Sequence, residues 1–310
     1  MPRRTNAFDG VPSIRMLVVE SHDVKLLPKR WYPLRWSGRS PNEHECNEES
    51  SVAEELKAEI RAEADLDEDK VVPREIPEGN RVLIITAHPD DMEFGSGGTA
   101  ARWSDEGKEI CLCVVTDGSS GSDDPAMTPD KLRETRHQEQ LAANAILGIG
   151  TFVQLNRPDG MVVPDLALRR DLVRVIRQFR ADVVVCQDPT SWFFGNEYIN
   201  HPDHRAVAVA AIEAVFPAAG NRNYFPELLE EGLEPIKIKE VYISTSEKAD
   251  VWVDITNVID RKIEALRQHK SQMGDWDPGP TLRKWAAGDG AKRTPPVAYA
   301  EDFRYMKTEG

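Results

Sequence analysis

From residue 81 onward, short apolar runs alternate with longer stretches spaced for helix, and few folds accept that rhythm. Residues 82–86, 110–116, 151–155, 183–186 and 239–244 read as strands, several of them apolar throughout, as strands covered on both faces are. Residues 97–106, 129–147 and 166–179 read as helices, followed by an Ala- and Val-rich helix after His204 and a closing helix over 258–269. Leu132, Leu141 and Ile146 are among the apolar positions of the longest, and Gly148 and Gly150 stop it. This alternation predicts a Rossmann-like α/β fold, a mostly parallel sheet with helices on both faces. In such sheets ligands bind beyond the carboxyl ends of the strands, where strand order reverses. The loops after the first and fourth of these strands should then converge on one crevice.

The rhythm begins only near residue 80, dividing the chain into an N-terminal extension over 1–79 and a main domain over 80–310. In the extension, residues 14–19 resemble a strand, and residues 29–36 (Lys29-Arg30-Trp31-Tyr32-Pro33-Leu34-Arg35-Trp36) are basic and aromatic. Residues 43–69 hold twelve acids against only Lys57 and Arg61. Ser51 and Glu54 are spaced as a capping box there, with Val52, Leu56 and Ile60 at helical intervals, which predicts an acidic amphipathic helix. The basic aromatic stretch reads either as a nucleic-acid or partner surface or as an arm packed on the main domain or a neighbouring subunit. Charge favours the arm. With 39 Lys and Arg against 53 Asp and Glu, the net charge of −14 disfavours a phosphate-backbone partner, so no nucleic acid is expected. No run approaches the ~18 apolar residues of a membrane span. Met1-Pro2-Arg3-Arg4 lacks the apolar segment of a secretory signal, so no membrane partner is expected either. The four cysteines form no paired framework, and Cys111 and Cys113 share one face of a strand, which points to a reduced, cytoplasmic setting.

Two clusters sit where convergence is expected. Thr86-Ala87-His88-Pro89-Asp90-Asp91 ends the first strand, and His201-Pro202-Asp203-His204 lies beyond the fourth. Hydrolytic metal sites commonly present three protein ligands and leave one position for water. His88, Asp91 and His204 make such a set, and zinc so held brings the pKa of water towards ~7. Asp90 is left as general base, and His201 to hydrogen-bond a developing oxyanion or protonate a leaving amine. Either cluster alone reads as a turn or a helix start; both together, each after a strand, favour a metal site. Gly95-Ser96-Gly97-Gly98 invites a dinucleotide reading, but the spacing is not GxGxxG and the two preceding acids would repel a pyrophosphate. These glycines are expected instead to let the backbone turn beneath the metal and start the next helix. Trp192, Phe193, Phe194 and Tyr198, just ahead of the second cluster, suit a sugar-facing rim or a lid pivoting on Gly195, with ordinary packing as the competing reading.

At these residues the chain resembles the zinc-dependent N-acetylglucosaminyl deacetylase family (PIG-L, or LmbE-like). The resemblance rests on Ala87-His88-Pro89-Asp90-Asp91, Glu93-Phe94-Gly95, Gly97-Gly98-Thr99 and the second cluster, and spans about residues 80 to 272. Arg136-x-x-Glu139 before Ala142 and Leu147-Gly148, then Pro158-Asp159-Gly160, and Asp254-Ile255-Thr256 leading into His269-Lys270-Ser271-Gln272, add weaker matches in order. The resemblance implies His88, Asp91 and His204 as ligands of zinc or another divalent metal, Asp90 as general base, His201 as oxyanion stabiliser and Asp203 as a carboxylate tuning a neighbouring imidazole. It associates Arg136 with sugar binding, against a helix-surface salt bridge to Glu139, and Tyr198 falls on the expected rim. It matches His269 to the family's C-terminal histidine, a candidate substrate contact, with a helix-end cap as the other reading. Met92 departs from the pattern, the acid coming one position later at Glu93. The implied reaction removes an acetyl (acyl) group from the amide nitrogen of an N-acetylglucosamine-type sugar or glycoside. An amidase of thiol-sugar conjugates, and a non-hydrolytic sugar-binding or assembly protein, are the alternatives. The implied partners are a small amino-sugar or glycoside substrate and further copies of the chain in a homo-oligomer.

Overall fold

The structure, a computed structural model, describes Arg15–Met16 and residues 72–308. The basic aromatic stretch over 29–36 and the acidic helix expected over 43–69 lie outside the described residues. The strands are β1 (Arg15–Met16), β2 (Arg81–Thr86), β3 (Glu109–Thr116), β4 (Thr151–Arg157), β5 (Val183–Gln187), β6 (Phe193–Phe194), β7 (Tyr198–Ile199), β8 (Glu240–Ser244), β9 (Val251–Asp254) and β10 (Ala300–Lys307). The helices are α1 (Asp91–Gly95), α2 (Gly97–Asp105), α3 (Pro129–Leu147), α4 (Leu166–Phe179), α5 (Pro202–Glu213), α6 (Glu227–Glu230), α7 (Ile259–Leu266), α8 (Lys270–Met273) and α9 (Gly279–Lys292). No helix among the described residues is long and apolar enough to cross a membrane.

Among the described residues, eight strands form one sheet in the order β1-β4-β3-β2-β5-β8-β10-β9. From β1 to β8 every neighbouring pair is parallel, and β10 enters antiparallel between β8 and β9. The chain moves from β2 outward through β3 to β4, then returns to lay β5 on the other side of β2. That reversal is the switch point, and it brings the loops after β2 and β5 side by side, as a doubly wound sheet requires. Arg15–Met16, inside the stretch read as an extension, pairs with Thr151 and Phe152 of β4 as an edge strand.

Each strand residue sends its side chain to the face opposite its neighbours'. Leu83, Ile85, Cys111, Cys113 and Val184 pack on one side with Leu172 and Ile176 of α4 and Val207 of α5. Val82, Ile84, Leu112 and Val185 pack on the other with Trp103 of α2, Leu147 of α3 and Ile263 of α7. Cys111 and Cys113 therefore share a face, buried as free thiols.

Helix ends follow local chemistry. Thr128 accepts from the Lys131 amide at the start of α3, Pro129 fills its first turn, and Gly148 ends it at φ 80°. Asp165 accepts from Leu168 N at 2.7 Å to start α4. The glycine-rich segment starts the next helix as expected, at Gly97, but Gly98 has a different task. A Cβ on Gly98 would lie 2.8 Å from Ile255 Cδ1, so the glycine permits α2 to pack on the β9–α7 loop rather than turning beneath a metal. Gly98 N and Thr99 N donate to the Glu301 carboxylate at 2.9 and 2.6 Å, and Lys262 Nζ pairs with Glu301 at 2.5 Å. A carboxylate of the chain itself thus fills the helix N-terminus that a pyrophosphate would need.

Candidate metal centre and its cavity

His88 leaves β2 on the loop before α1, and His204 sits in the first turn of α5, beyond β5. His88 Nδ1 lies 3.2 Å from His204 Nε2. The Asp91 carboxylate closes the triangle, 3.5 Å from His88 Nδ1 and 3.0 Å from His204 Nε2. Each imidazole is oriented by its other nitrogen. His88 Nε2 faces Asp159 at 3.0 Å and Asp203 at 3.3 Å, which requires the proton on Nε2. His204 Nδ1 faces Asn200 Oδ1 at 3.0 Å; Asn200 Nδ2 is spent on the Ser191 carbonyl, so His204 is the donor. With both rings neutral, two imidazole lone pairs and a carboxylate converge on one point, which calls for a positive charge between them, a proton or a metal cation. Burial works against a charge on His88, yet Asp159, Asp203 and Asp91 push that imidazole up to about 12. Asp91 is held well below the usual carboxylate range by His204 and His88, although burial opposes this. The donor set fits a divalent cation.

Two other groupings place ligating atoms near one another: His88 with His201 and His204, and His88 with Asp159 and Asp203. Hydrogen bonding argues against both. The Nδ1 of His201 accepts the Asp203 amide at 3.2 Å, leaving a protonated Nε2 that donates rather than ligates. Asp203 already receives Gly160 N at 2.7 Å and Val162 N at 3.1 Å, and Asp159 receives Ser120 N at 3.0 Å. These carboxylates orient His88 instead, the outer-shell arrangement that commonly accompanies a metal-binding imidazole.

Asp90 stands beside the cradle at φ 100° and ψ −26°, a left-handed conformation that costs a non-glycine residue on the order of 1–3 kcal/mol. Burial pushes its carboxyl up to about 6, with Arg136 opposing and Asp91 adding to the rise. Arg136 is buried and donates to the Pro89 carbonyl at 2.6 Å, to Gly118 O at 3.1 Å and to Asp90 Oδ2 at 3.3 Å. The salt bridge to Glu139 is not made: Glu139 instead accepts from Ser271 N and Oγ. Arg136 still reaches the cavity wall.

The cavity above these residues is about 970 Å³. His88, Asp90, Asp91, His201 and His204 all line it. His201 caps α5; burial and the neighbouring His88 and His204 rings push its imidazole down, favouring the neutral Nε2–H donor. One side of the mouth is the β6–β7 hairpin, where Phe194 and Tyr198 reach the cavity. Trp192, Phe193 and Tyr198 are 56%, 59% and 53% exposed, so packing in a core does not explain them. Trp192 lies under the Arg205 guanidinium at 3.9 Å, and Trp192 and Phe193 do not line the cavity.

His269 departs from expectation. It is fully buried, does not line the cavity, and faces Glu93 Oε2 at 3.6 Å. Its side chain caps no helix end, although it precedes α8. Glu93, Gln140, Asn200 and Asp159 escaped notice as site residues. The signals for Asp159 and Asn200 were present: a Pro-Asp-Gly turn after a strand, and the position directly ahead of His201.

The sequence profile of PIG-L, described as GlcNAc-PI de-N-acetylase, matches residues 83–215. The diacetylchitobiose deacetylase of Thermococcus kodakarensis is 34% identical over 203 residues, 64% of this chain and 74% of that protein. The 1D-myo-inositol 2-acetamido-2-deoxy-alpha-D-glucopyranoside deacetylase of Kineococcus radiotolerans is 28% identical over 300 residues, 76% of this chain and 78% of that protein. Among solved structures, N,N'-diacetylchitobiose deacetylase from Pyrococcus horikoshii superposes with a TM-score of 0.68 at 32% identity, covering 74% of this chain and 85% of its own. With that fold and this cradle at the switch point, the chain belongs to the PIG-L family, the GlcNAc-PI de-N-acetylases.

Proposed function

We propose that the protein is a metal-dependent hydrolase that removes the acetyl group from an N-acetylglucosamine-type sugar or glycoside. The observation that carries this reading is the pair of imidazole nitrogens 3.2 Å apart, closed by Asp91 and overlooked by a strained, half-buried carboxylate on the cavity wall. His88, Asp91 and His204 would hold the cation. Two imidazoles and one carboxylate, with one side open to the cavity, suit zinc. When bound, the ion supplies Lewis-acid polarisation and lowers the pKa of water towards ~7.

The chain's own residues do the rest. Asp90 takes the proton of the attacking water. The water oxygen bonds to the amide carbon, the neutral His201 Nε2–H hydrogen-bonds the oxyanion that develops, and the proton held on Asp90 passes to the departing nitrogen. The C–N bond breaks, leaving acetate and a free amino sugar. Asp159 and Asp203 keep the His88 ring turned towards the cradle, and Asn200 does the same for His204. Arg136 and Tyr198, on the cavity wall, are placed to meet the sugar. The buried free thiols Cys111, Cys113 and Cys186 fit a reducing compartment.

The test is amine and acetate release from N-acetylglucosamine, N,N'-diacetylchitobiose and an N-acetylglucosaminyl inositol, with and without chelator. Release that chelation stops and zinc restores is expected. Release that ignores the chelator would contradict the reading.

A further inference from the structure

Asp90 keeps its left-handed backbone only because its surroundings hold it there, and one of those supports lies outside the proposed chemistry. Arg136, Gln140 and Asn144 recur at four-residue intervals on one buried face of α3. Arg136 grips the carbonyl before Asp90 and reaches the Asp90 side chain. Gln140 Oε1 accepts the Asp90 amide hydrogen at 3.1 Å. The same side chain donates through Nε2 to Glu93 Oε1 at 2.8 Å and to Asn144 Oδ1 at 3.0 Å. The Asp90 donor on one side and the Glu93 carboxylate on the other admit only this orientation of the Gln140 amide. Gln140 is 1% exposed, does not line the cavity and makes no bond to the cradle.

We propose that Gln140, braced by Glu93 and Asn144, is a positioning residue that fixes the Asp90 carboxylate in its reactive direction. This rests on Asp90 acting as the base. Arg136 and Gln140 hold the two ends of one rigid peptide plane, the Pro89 carbonyl and the Asp90 amide. Without the bond to Gln140 the plane is held at one end only, so it can tilt about the Arg136 contact and φ can relax towards negative values, drawing the carboxylate away from the cradle. Glu93, in the first turn of α1, ties the helix that Asp90 caps to the same support.

The experiment compares Gln140→Met, Gln140→Glu and the double substitution Gln140→Glu/Glu93→Gln, reading kcat, KM, metal stoichiometry and Tm. Gln140→Met is expected to lose ~10- to 100-fold in kcat with KM and metal content unchanged. Gln140→Glu sets two carboxylates against each other and is expected to lose at least as much. The double substitution reverses donor and acceptor. The carboxylate at 140 accepts from Asp90, the amide at 93 donates to it, and Asn144, whose Nδ2 has no partner, turns to donate as well. Recovery of kcat in the double variant is the signature of positioning, because loss of packing alone would not reverse. A Gln140→Met protein with kcat within about twofold of the parent overturns the proposal. So does a double variant no better than Gln140→Glu at equal Tm. Asp90→Asn run alongside separates the two claims. If it keeps its turnover, the base assignment has failed; if it loses turnover while Gln140→Met does not, only the positioning role has.

Discussion

The floor of the cavity and its aromatic rim are built to different standards. On the floor, His88 is held by two carboxylates, and Asp91 by bonds to the Ala87 and His88 amides as well as to the imidazoles. The rim hairpin is two residue pairs, Phe193 with Ile199 and Phe194 with Tyr198, joined through Gly195 at φ 58°. Ile199 is 71% exposed and Tyr198 53%. An over-determined floor fixes which side chains can stand there, so the chemistry tolerates little change. A lightly held rim can vary without disturbing it. The floor should decide whether an amide is cut, and the rim which amide.

The largest expected effect comes from removing a cradle residue. His204→Ala should lose the metal and with it turnover, by at least ~1,000-fold, checked by metal analysis of the purified protein beside its rate. Chelating the parent protein should abolish turnover and also lower Tm, since an ion bound only by the folded state at 1,000 times its dissociation constant adds about 4 kcal/mol. Differential scanning calorimetry with and without zinc reads this directly, and an unchanged Tm would argue that the cradle binds nothing tightly. Smaller still is Asp203→Asn, which keeps every ligand but weakens the hold on His88. It should cost ~10- to 100-fold in metal affinity, measured by competition with a chelating dye. The smallest effect belongs to the rim. Tyr198→Ala should change KM for different glycosides by about 3- to 10-fold while kcat and metal content stay within about twofold. A Tyr198 variant that lost the metal, or an Asp203 variant that changed only substrate preference, would break the division between floor and rim.

The floor was legible because its residues are rare types at strand ends. A His and two Asp after β2, and two His around an Asp after β5, need only the doubly wound order to bring them together. The groups that support them were not. Gln140 and Asn144 look like ordinary helix residues, and only the packing of α3 under the Asp90 loop gives them meaning. His269 carried a signal of the wrong kind: its position in the sequence suggested contact with substrate, while its ring is buried behind Glu93. The distal edge of the sheet also escaped. β9 has four residues and β10, Ala300–Lys307, mixes charged and apolar positions as an antiparallel strand near an edge can, so neither repeats the apolar runs of β2 to β5. The glycines after α1 were read for a turn and a helix start; the helix does start there, but the reason for Gly98 lies in Ile255, more than 150 residues away in sequence, which no local pattern announces.

In the proposed mechanism the cradle holds a metal and Asp90, beside it, does the proton transfer. Asp90→Asn tests it most directly, with bound zinc and turnover measured on the same preparation. One equivalent of metal should be retained and turnover fall by ~100- to 10,000-fold. Undiminished turnover with the metal in place would contradict it.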